Sequence, residues 1–272
     1  MSNFKGKKVL ITGGASGIGL LMGRMALEKG AEVLRIWDIN CLAMREVAEK
    51  FDREGYQVDY QFVDVSDKES VAEAVALCRA NGFVPDILIL NAGVVFGGLF
   101  IENSSCEIEK TMGVNVLGAL LTAHGFLPQL IGRGSGHLVT IASAASMLAN
   151  PGMAVYAASK WAVYGWSESL RLEMERMKTG VKVTTVTPSF ISTGMFEGAK
   201  TGPLIPLLTP EKAVKKIIRG IENDRHFVRM PALVYALPFV KGVLPARWFD
   251  VFAGKWMGVY QSMDHFTGRK ND

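Results

Sequence analysis

Lys8-Val9-Leu10-Ile11-Thr12-Gly13-Gly14-Ala15-Ser16-Gly17-Ile18-Gly19 is the stretch that decides the fold. Its first five residues form a short apolar run with β-branched members, the composition of a buried strand. A helical pattern follows from about Gly17 to Lys29, so the glycines fall at a strand-to-helix turn. Without Cβ atoms, Gly13, Gly17 and Gly19 permit a tight turn and close backbone approach to a pyrophosphate. That group would rest at the positive helix end, beside Ser16 and Ile18. A glycine turn taken alone also fits a purely structural role, and the chain beyond it decides between the two.

The next strand covers residues 32–37 and ends at Asp38, roughly twenty residues past the loop, where an acid that hydrogen-bonds an adenosine ribose is expected. The plainer alternative is an exposed aspartate closing a strand. An Asp38 facing the ribose would repel a 2′-phosphate and favour NAD over NADP. Arg35 could soften that preference, but period-two alternation places it on the opposite strand face.

Strand and helix patterns continue in turn. Strands are expected near 57–63, 86–90, 136–142 and 181–187, and helices near 41–54, 67–81, 104–131 and 154–178. This alternation predicts an α/β protein: a single-domain Rossmann fold with a doubly wound parallel sheet, helices on both faces and a helical C-terminal extension. Residues 1–225 are assigned to the dinucleotide-binding and catalytic part, and 226–272 to the extension within the same domain. Ligands of such sheets bind outside the carboxyl ends of the strands. Asp64-Val65, Asn91-Ala92-Gly93 and Ser143 each follow a strand and would point into that crevice.

Tyr156 and Lys160 are four residues apart and therefore neighbours on one helix face. A free phenol, with a pKa of about 10, is a weak base at neutral pH, and a nearby ammonium favours phenolate. Tyr156 could then accept a proton from an alcohol or return it to an alkoxide. The Ser143 hydroxyl could hold the reacting oxygen. Tyr-x-x-x-Lys also arises by accident on helices, so the pair gains weight only from its company.

That company resembles the ordered motif set of the short-chain dehydrogenase/reductase family: the glycine loop, Asp64-Val65, Asn91-Ala92-Gly93, Asn115, Ser143, Tyr156, Lys160 and Pro188 through Thr193. The match spans roughly residues 5 to 225. Trp37-Asp38-Ile39-Asn40, Ile108-Glu109-Lys110-Thr111, Asn115-Val116-Leu117 and Pro188-Ser189-Phe190-Ile191-Ser192-Thr193-Gly194 resemble the branch of type 11 and 13 17β-hydroxysteroid dehydrogenases and retinol dehydrogenases. The resemblance implies a catalytic tetrad of Asn115, Ser143, Tyr156 and Lys160. It also implies that Lys160 grips the nicotinamide ribose, that Asn115 supports a water-linked proton path, that Thr193 binds the carboxamide beside Pro188 and Ile191, and that Asp64 and Val65 hold the adenine. Two positions depart from the family pattern: Leu90 replaces an asparagine and Ser189 a glycine.

The chain has 272 residues, 49% hydrophobic and 21% charged, enough for one large α/β domain. Residues 2–7 are hydrophilic and the first strand follows at once, from which neither secretory signal nor N-terminal anchor is expected. Cys41, Cys78 and Cys106 read as reduced thiols of a cytoplasmic protein. His124, His137, His226 and His265 have no metal-ligand spacing, so no metal is expected.

Residues 211–272 hold eleven Lys/Arg and six Asp/Glu, a net of +5, whereas the remainder is −1. Within this basic part, the apolar run 230–240 is too short and proline-broken to span a bilayer. A lid over an apolar substrate, a subunit contact and a peripheral membrane surface remain open for it. Dispersed cations without a recognised module argue against nucleic-acid binding.

Val94, Val95, Phe96, Met147, Leu148 and the 190–208 segment are expected at the crevice mouth, although several could be core instead. Such walls suit an apolar alcohol or its ketone or aldehyde, such as a sterol, retinoid, aryl ketone or fatty alcohol. A silent NAD-binding sensor or a membrane-associated scaffold on the same fold are the alternatives to an enzyme. The resemblance implies a homodimer or homotetramer, with subunits pairing through the helices at 104–131 and 154–178.

Overall fold

The computed structural model describes residues 2–202 and 205–268. Pro203 and Leu204 of the expected crevice segment, and Arg269 and Lys270 of the basic tail, lie outside the described residues. Seven strands form one sheet, all pairs parallel, in the order β3-β2-β1-β4-β5-β6-β7. They are β1 (Lys8–Thr12), β2 (Val33–Asp38), β3 (Val58–Phe62), β4 (Ile87–Leu90), β5 (Gly136–Ile141), β6 (Val181–Pro188) and β7 (Phe227–Met230). The chain reverses its winding between β1 and β4, and parallel sheets of this kind open their ligand crevice at that switch point.

The central strands read as nearly unbroken apolar runs because both of their faces are covered. Val9 and Ile11 of β1, Leu34 and Ile36 of β2, and Ile87 and Ile89 of β4 join one core. It is completed by α1 (Gly17–Glu28), α2 (Cys41–Arg53) and α7 (Pro210–Glu222). Leu10, Trp37, Leu88 and Leu90 face the other core, beneath α3 (Lys68–Ala80), α5 (Gly118–Arg133) and α6 (Ala154–Arg176). Helix starts carry their own signals. Asn40 accepts a hydrogen bond from the Ala43 amide, and Ser104 and Glu107 cap α4 (Ser105–Met112) reciprocally.

The expected helix at 104–131 is three pieces: α4, a π-helical turn over Gly113–Leu117, and α5. From Ser105 to Arg133 the stretch is long and apolar enough to cross a membrane, yet Thr122, Ala123, Phe126 and Leu130 are buried inside the protein. The stretch 226–272 opens with β7, so the sheet continues to Met230 rather than stopping at 225. Beyond it lie α8 (Leu237–Val243), α9 (Ala246–Val251) and a second π-helical turn. Phe239, Val243, Trp248 and Trp256 are exposed there.

One buried group makes the fold sensitive to acid. His137 on β5 is buried, its Nε2 2.8 Å from Thr184 Oγ1 and its Nδ1 3.0 Å from Ser2 Oγ. Burial holds its pKa down to about 4, against an opposing pull from Asp224. The folded value lies below the usual 6.5, so the unfolded chain takes up the proton first as pH falls. The stabilisation is complete above pH 6.5 and fades toward about pH 4. Urea unfolding is expected to lose about 2 kcal/mol between pH 7 and pH 4.5. A His137→Gln variant with an equally steep profile would refute the assignment.

Candidate active site

A cleft of about 1060 Å³ opens at the switch point. Gly13 and Gly17 adopt φ of +64° and +56°, the left-handed region that glycine enters without steric cost. Close approach matters as much as conformation. A Cβ at Gly13 would stand 2.9 Å from Ala92 Cα, and one at Gly19 would overlap the Gly13 carbonyl oxygen. Asn91 Nδ2 donates to the Thr12 and Gly13 carbonyls at 3.0 and 2.9 Å, while Thr12 Oγ1 accepts from the amides of Asn91 and Ala92 at 3.0 and 3.1 Å. Asn91 therefore braces the glycine loop from β4.

The amide of Leu20 donates to the Ser16 carbonyl at 3.1 Å, which leaves the amides of residues 17–19 ahead of the helical ladder at the positive end of α1. Asp38 accepts from the amides of Ala15 and Asn40 at 3.0 and 3.1 Å, fixing its carboxylate at the cleft edge. Arg35 turns the other way, pairing with Asp59 at 2.8 Å and lying over the Phe83 ring. Asp64 accepts from the Ser66 amide and hydroxyl, and both Asp64 and Val65 line the cleft. Pro188, Ile191 and Thr193 also line the cleft, with Thr193 Cβ 3.8 Å from where a Gly17 Cβ would stand. A glycine-sized cradle, a helix N-terminus and an edge carboxylate in one long cleft fit a dinucleotide.

At the deep end, α6 supplies Tyr156 and Lys160 one turn apart, and Ser143 follows β5. Ser143 hydrogen-bonds the Tyr156 phenol, and its Oγ also accepts from the Ala145 amide at 3.1 Å. Lys160 Nζ donates to the Ile141 carbonyl at 2.9 Å and lies 5.6 Å from the centre of the Tyr156 ring. Asn115 sits mid-way along the π-helical turn, the kind of local widening often found at functional sites. Its Oδ1 accepts from the Val94 amide at 2.8 Å, and its Nδ2 donates to the Val94 carbonyl and Ser159 Oγ at 2.9 and 3.0 Å. All the expected site residues line the cleft except Gly19 and Asn115, which stand directly behind its surface.

The electrostatics differ from expectation. Burial pushes the Tyr156 phenol up to about 12, with the Ser143 hydrogen bond pulling the other way. Burial also lowers Lys160 to about 8. In the protein alone, desolvation outweighs the attraction expected from the ammonium, so Tyr156 is held as a neutral donor.

Several supporting residues carry no sequence signal of their own. Ser146 Oγ donates to the Lys160 carbonyl at 2.8 Å, and Ser159 Oγ to the Tyr156 carbonyl at 2.7 Å, pinning the helix that bears both groups. Ser159 could be suspected from its place between Tyr156 and Lys160, whereas Ser146 and Thr12 look like ordinary loop and strand residues. Leu90, one of the departures, is absorbed into the core beneath α5. Ser189 donates its amide to the Met230 carbonyl at 2.8 Å. Of the expected substrate wall, Val94, Leu148, Phe190, Phe196 and Ile205 line the cleft, while Met147 packs behind it. The run 230–240 does not line the cleft; among the described residues beyond 225, Val259 does.

Residues 7–203 match the family model described as short chain dehydrogenase. The chain is 37% identical to human epidermal retinol dehydrogenase 2 over 98% of its own length and 87% of that protein's. It is 34% identical to human estradiol 17-beta-dehydrogenase 11, covering 92% and 83%. A short chain dehydrogenase/reductase from Burkholderia phymatum, solved in complex with NAD, superimposes with a TM-score of 0.78 at 26% identity over 88% of this chain and 94% of that one. One from Sphingobium yanoikuyae in complex with NADPH gives 0.77 at 25% identity, covering 89% and 94%. With its sheet order, glycine cradle and Ser143–Tyr156–Lys160 cluster, this chain belongs to the short-chain dehydrogenase/reductase family of oxidoreductases.

Proposed function

We propose that the protein interconverts a bulky apolar alcohol and its ketone or aldehyde, with NAD as the preferred cofactor. The observation that carries this reading is the meeting of Ser143, Tyr156 and Lys160 at the deep end of a cleft whose other end is the glycine cradle. A bound nicotinamide dinucleotide would supply the hydride acceptor or donor. Gly13, Ser16, Gly17, Ile18, Asp38, Asp64 and Val65 would hold its adenosine and phosphate end. Thr193, Pro188, Ile191 and Lys160 would hold the other.

The chain's own chemistry is proton transfer. Ser143 holds the substrate oxygen beside the phenol, and Tyr156 gives its proton to that oxygen in reduction or takes it in oxidation. Lys160, tied to Ile141, stands behind the phenol and supports its ionised form. Asn115 fixes the loop after β4 against α6 through Val94 and Ser159. The relatives' names specify retinol and estradiol, both apolar alcohols, and the wall of Val94, Leu148, Phe190, Phe196 and Ile205 suits that class. The reading is tested by initial rates with NAD and NADP over sterols, retinols, aryl carbinols and fatty alcohols. Tight cofactor binding without turnover on any of them would leave a binding role instead.

Asp38 carries the cofactor preference. Its carboxylate is anchored by two backbone amides and would accept from ribose hydroxyls while repelling a 2′-phosphate. Asp38→Ser is expected to lower kcat/KM with NAD about tenfold and to narrow or reverse the NAD/NADP ratio, a change of about 1.4 kcal/mol. An unchanged ratio would mean that Asp38 only shapes the loop.

A further inference from the structure

The end of β6 holds a polar atom that the protein alone leaves unmatched, and strand alternation sets the side on which it lies. Val181 and Val183 join Leu170 and Met174 of α6 in one core, and the Thr185 hydroxyl hydrogen-bonds Ser167 of the same helix. Odd-numbered side chains of β6 therefore point toward α6, the helix that carries Tyr156 and Lys160. Ser189 stays in phase with them. Its amide donates to the Met230 carbonyl at 2.8 Å, as the Thr185 amide donates to the His226 carbonyl at 2.9 Å. The ladder to β7 thus runs one residue past Pro188, and Ser189 lines the cleft beside the end of β5, which Ser143 follows.

Ser189 is buried, and its Oγ has no hydrogen-bond partner among the described residues. Buried hydroxyls are nearly always paired, because an unmatched one has given up its bonds to water. Six other buried side-chain atoms among the described residues share that state, but of all seven only those of Trp37 and Ser189 belong to residues lining the cleft. The Trp37 ring packs on Phe126 at 5.7 Å, in the core beneath α5. Thr187, on the same strand face as Ser189, has an equally unmatched hydroxyl but does not line the cleft. Ser189 is left as the orphan beside the proton-transfer groups, and it stands where the family pattern has glycine, which offers no hydroxyl.

The polar groups due at that end indicate what the hydroxyl serves. An apolar alcohol brings one reacting oxygen, which Ser143 and Tyr156 already meet. A nicotinamide brings a carboxamide, with an acceptor oxygen and two N–H donors. Thr193 has a single hydroxyl to offer it. A serine hydroxyl both donates and accepts, so it matches either end of an amide.

We propose that Ser189 is an additional cofactor-binding residue of this chain: its hydroxyl pairs with the carboxamide of a bound nicotinamide dinucleotide and, with Thr193, fixes the ring beside Tyr156. The inference rests on the dinucleotide reading above and deepens it at one residue. It gives the hydroxyl opposite effects in two states. In the free protein an unmatched hydroxyl destabilises the fold, whereas in the complex it is paired. Removing it should therefore strengthen the free fold and weaken the complex, a combination that a merely structural serine does not produce.

The test compares the full-length wild type, Ser189→Ala and Ser189→Gly by calorimetric titration with NADH and with ADP-ribose, which keeps the adenosine and pyrophosphate but lacks the nicotinamide. Both variants are expected to bind NADH about tenfold more weakly, the scale of one hydrogen bond, and ADP-ribose within about twofold of wild type. Without ligand, Ser189→Ala should unfold at the wild-type temperature or above it. Thr187→Val is the control: it removes the neighbouring orphan hydroxyl and should leave both affinities unchanged. A Ser189→Ala protein that binds NADH as tightly as wild type overturns the proposal. So does an equal loss for NADH and ADP-ribose, which would make Ser189 a shaper of the loop. Unchanged NADH affinity with a raised KM for the alcohol would give the hydroxyl to the substrate and overturns it as well. If the wild type binds NADH but turns over no alcohol, the reaction reading fails by itself, and the ratio of NADH to ADP-ribose affinity still decides for or against Ser189. A wild type that binds neither ligand overturns the dinucleotide reading and this proposal together.

Discussion

Tyr156→Phe is expected to lower kcat about a thousandfold in both directions, within the range that positioned acid–base groups supply, and to leave NAD affinity within about threefold. Phenylalanine keeps the ring and its edge contact with Phe196, and Ser143 keeps its bond from the Ala145 amide. What disappears is the phenol proton held at the cleft beside Ser143. Thermal unfolding should shift by only a few degrees, a change of about 1 kcal/mol for a lost hydrogen bond.

The elevated phenol adds a directional signature. With Tyr156 pushed up to about 12, the protonated form needed for reduction is present throughout the neutral range, so carbonyl reduction should be nearly flat with pH. Alcohol oxidation needs the phenolate and should rise with pH through the alkaline range. A folded, NAD-binding Tyr156→Phe protein with near wild-type turnover would remove Tyr156 from the chemistry. Equal pH profiles in the two directions would remove the raised phenol from the account.

How much of this was legible in the sequence depends on how local each determinant is. The strand–glycine–helix opening, Asp38 closing β2 and Tyr156 one turn before Lys160 are patterns within a few residues, and the structure places all of them around one cleft. The parallel sheet follows from the same alternation, because parallel strands need helical crossovers. β7 escapes periodicity: it is four residues long, half of its burial pattern is intermediate, and it holds Arg229. The π-helical turn over Gly113–Leu117 is equally silent, since the apolar pattern there runs on as ordinary helix.

Nonlocal balances are the least legible. Proximity suggests that Lys160 lowers the phenol, but the depth of burial, which only the assembled fold sets, drives both groups toward their neutral forms. Likewise the apolar run 230–240 stands out in composition, yet the C-terminal side chain packed with Tyr156 is Met263, a single apolar residue between Ser262 and Asp264.

Gly19→Ala should weaken NAD binding at least a hundredfold, about 2.7 kcal/mol, although Gly19 does not itself line the cleft. A methyl group there would overlap the Gly13 carbonyl and come within 2.6 Å of Asn91 Nδ2. The obstacle on one side is backbone that cannot rotate away, and on the other the amide that braces the loop. Relief requires the Gly13 turn to move outward, into the space a pyrophosphate would occupy, and to give up the Asn91 bonds at 2.9 and 3.0 Å. Stability should also fall, by about 1–3 kcal/mol, as for other overpacked sites. Gly132, near the end of α5, is the control: it is exposed, a Cβ there meets nothing within 4 Å, and Ala favours a helix. Gly132→Ala should bind NAD normally and unfold at the same temperature or slightly higher. NADH fluorescence titration with thermal unfolding separates the outcomes, and a Gly19→Ala protein that binds as tightly as the Gly132→Ala control would show that the cradle yields where its packing says it cannot.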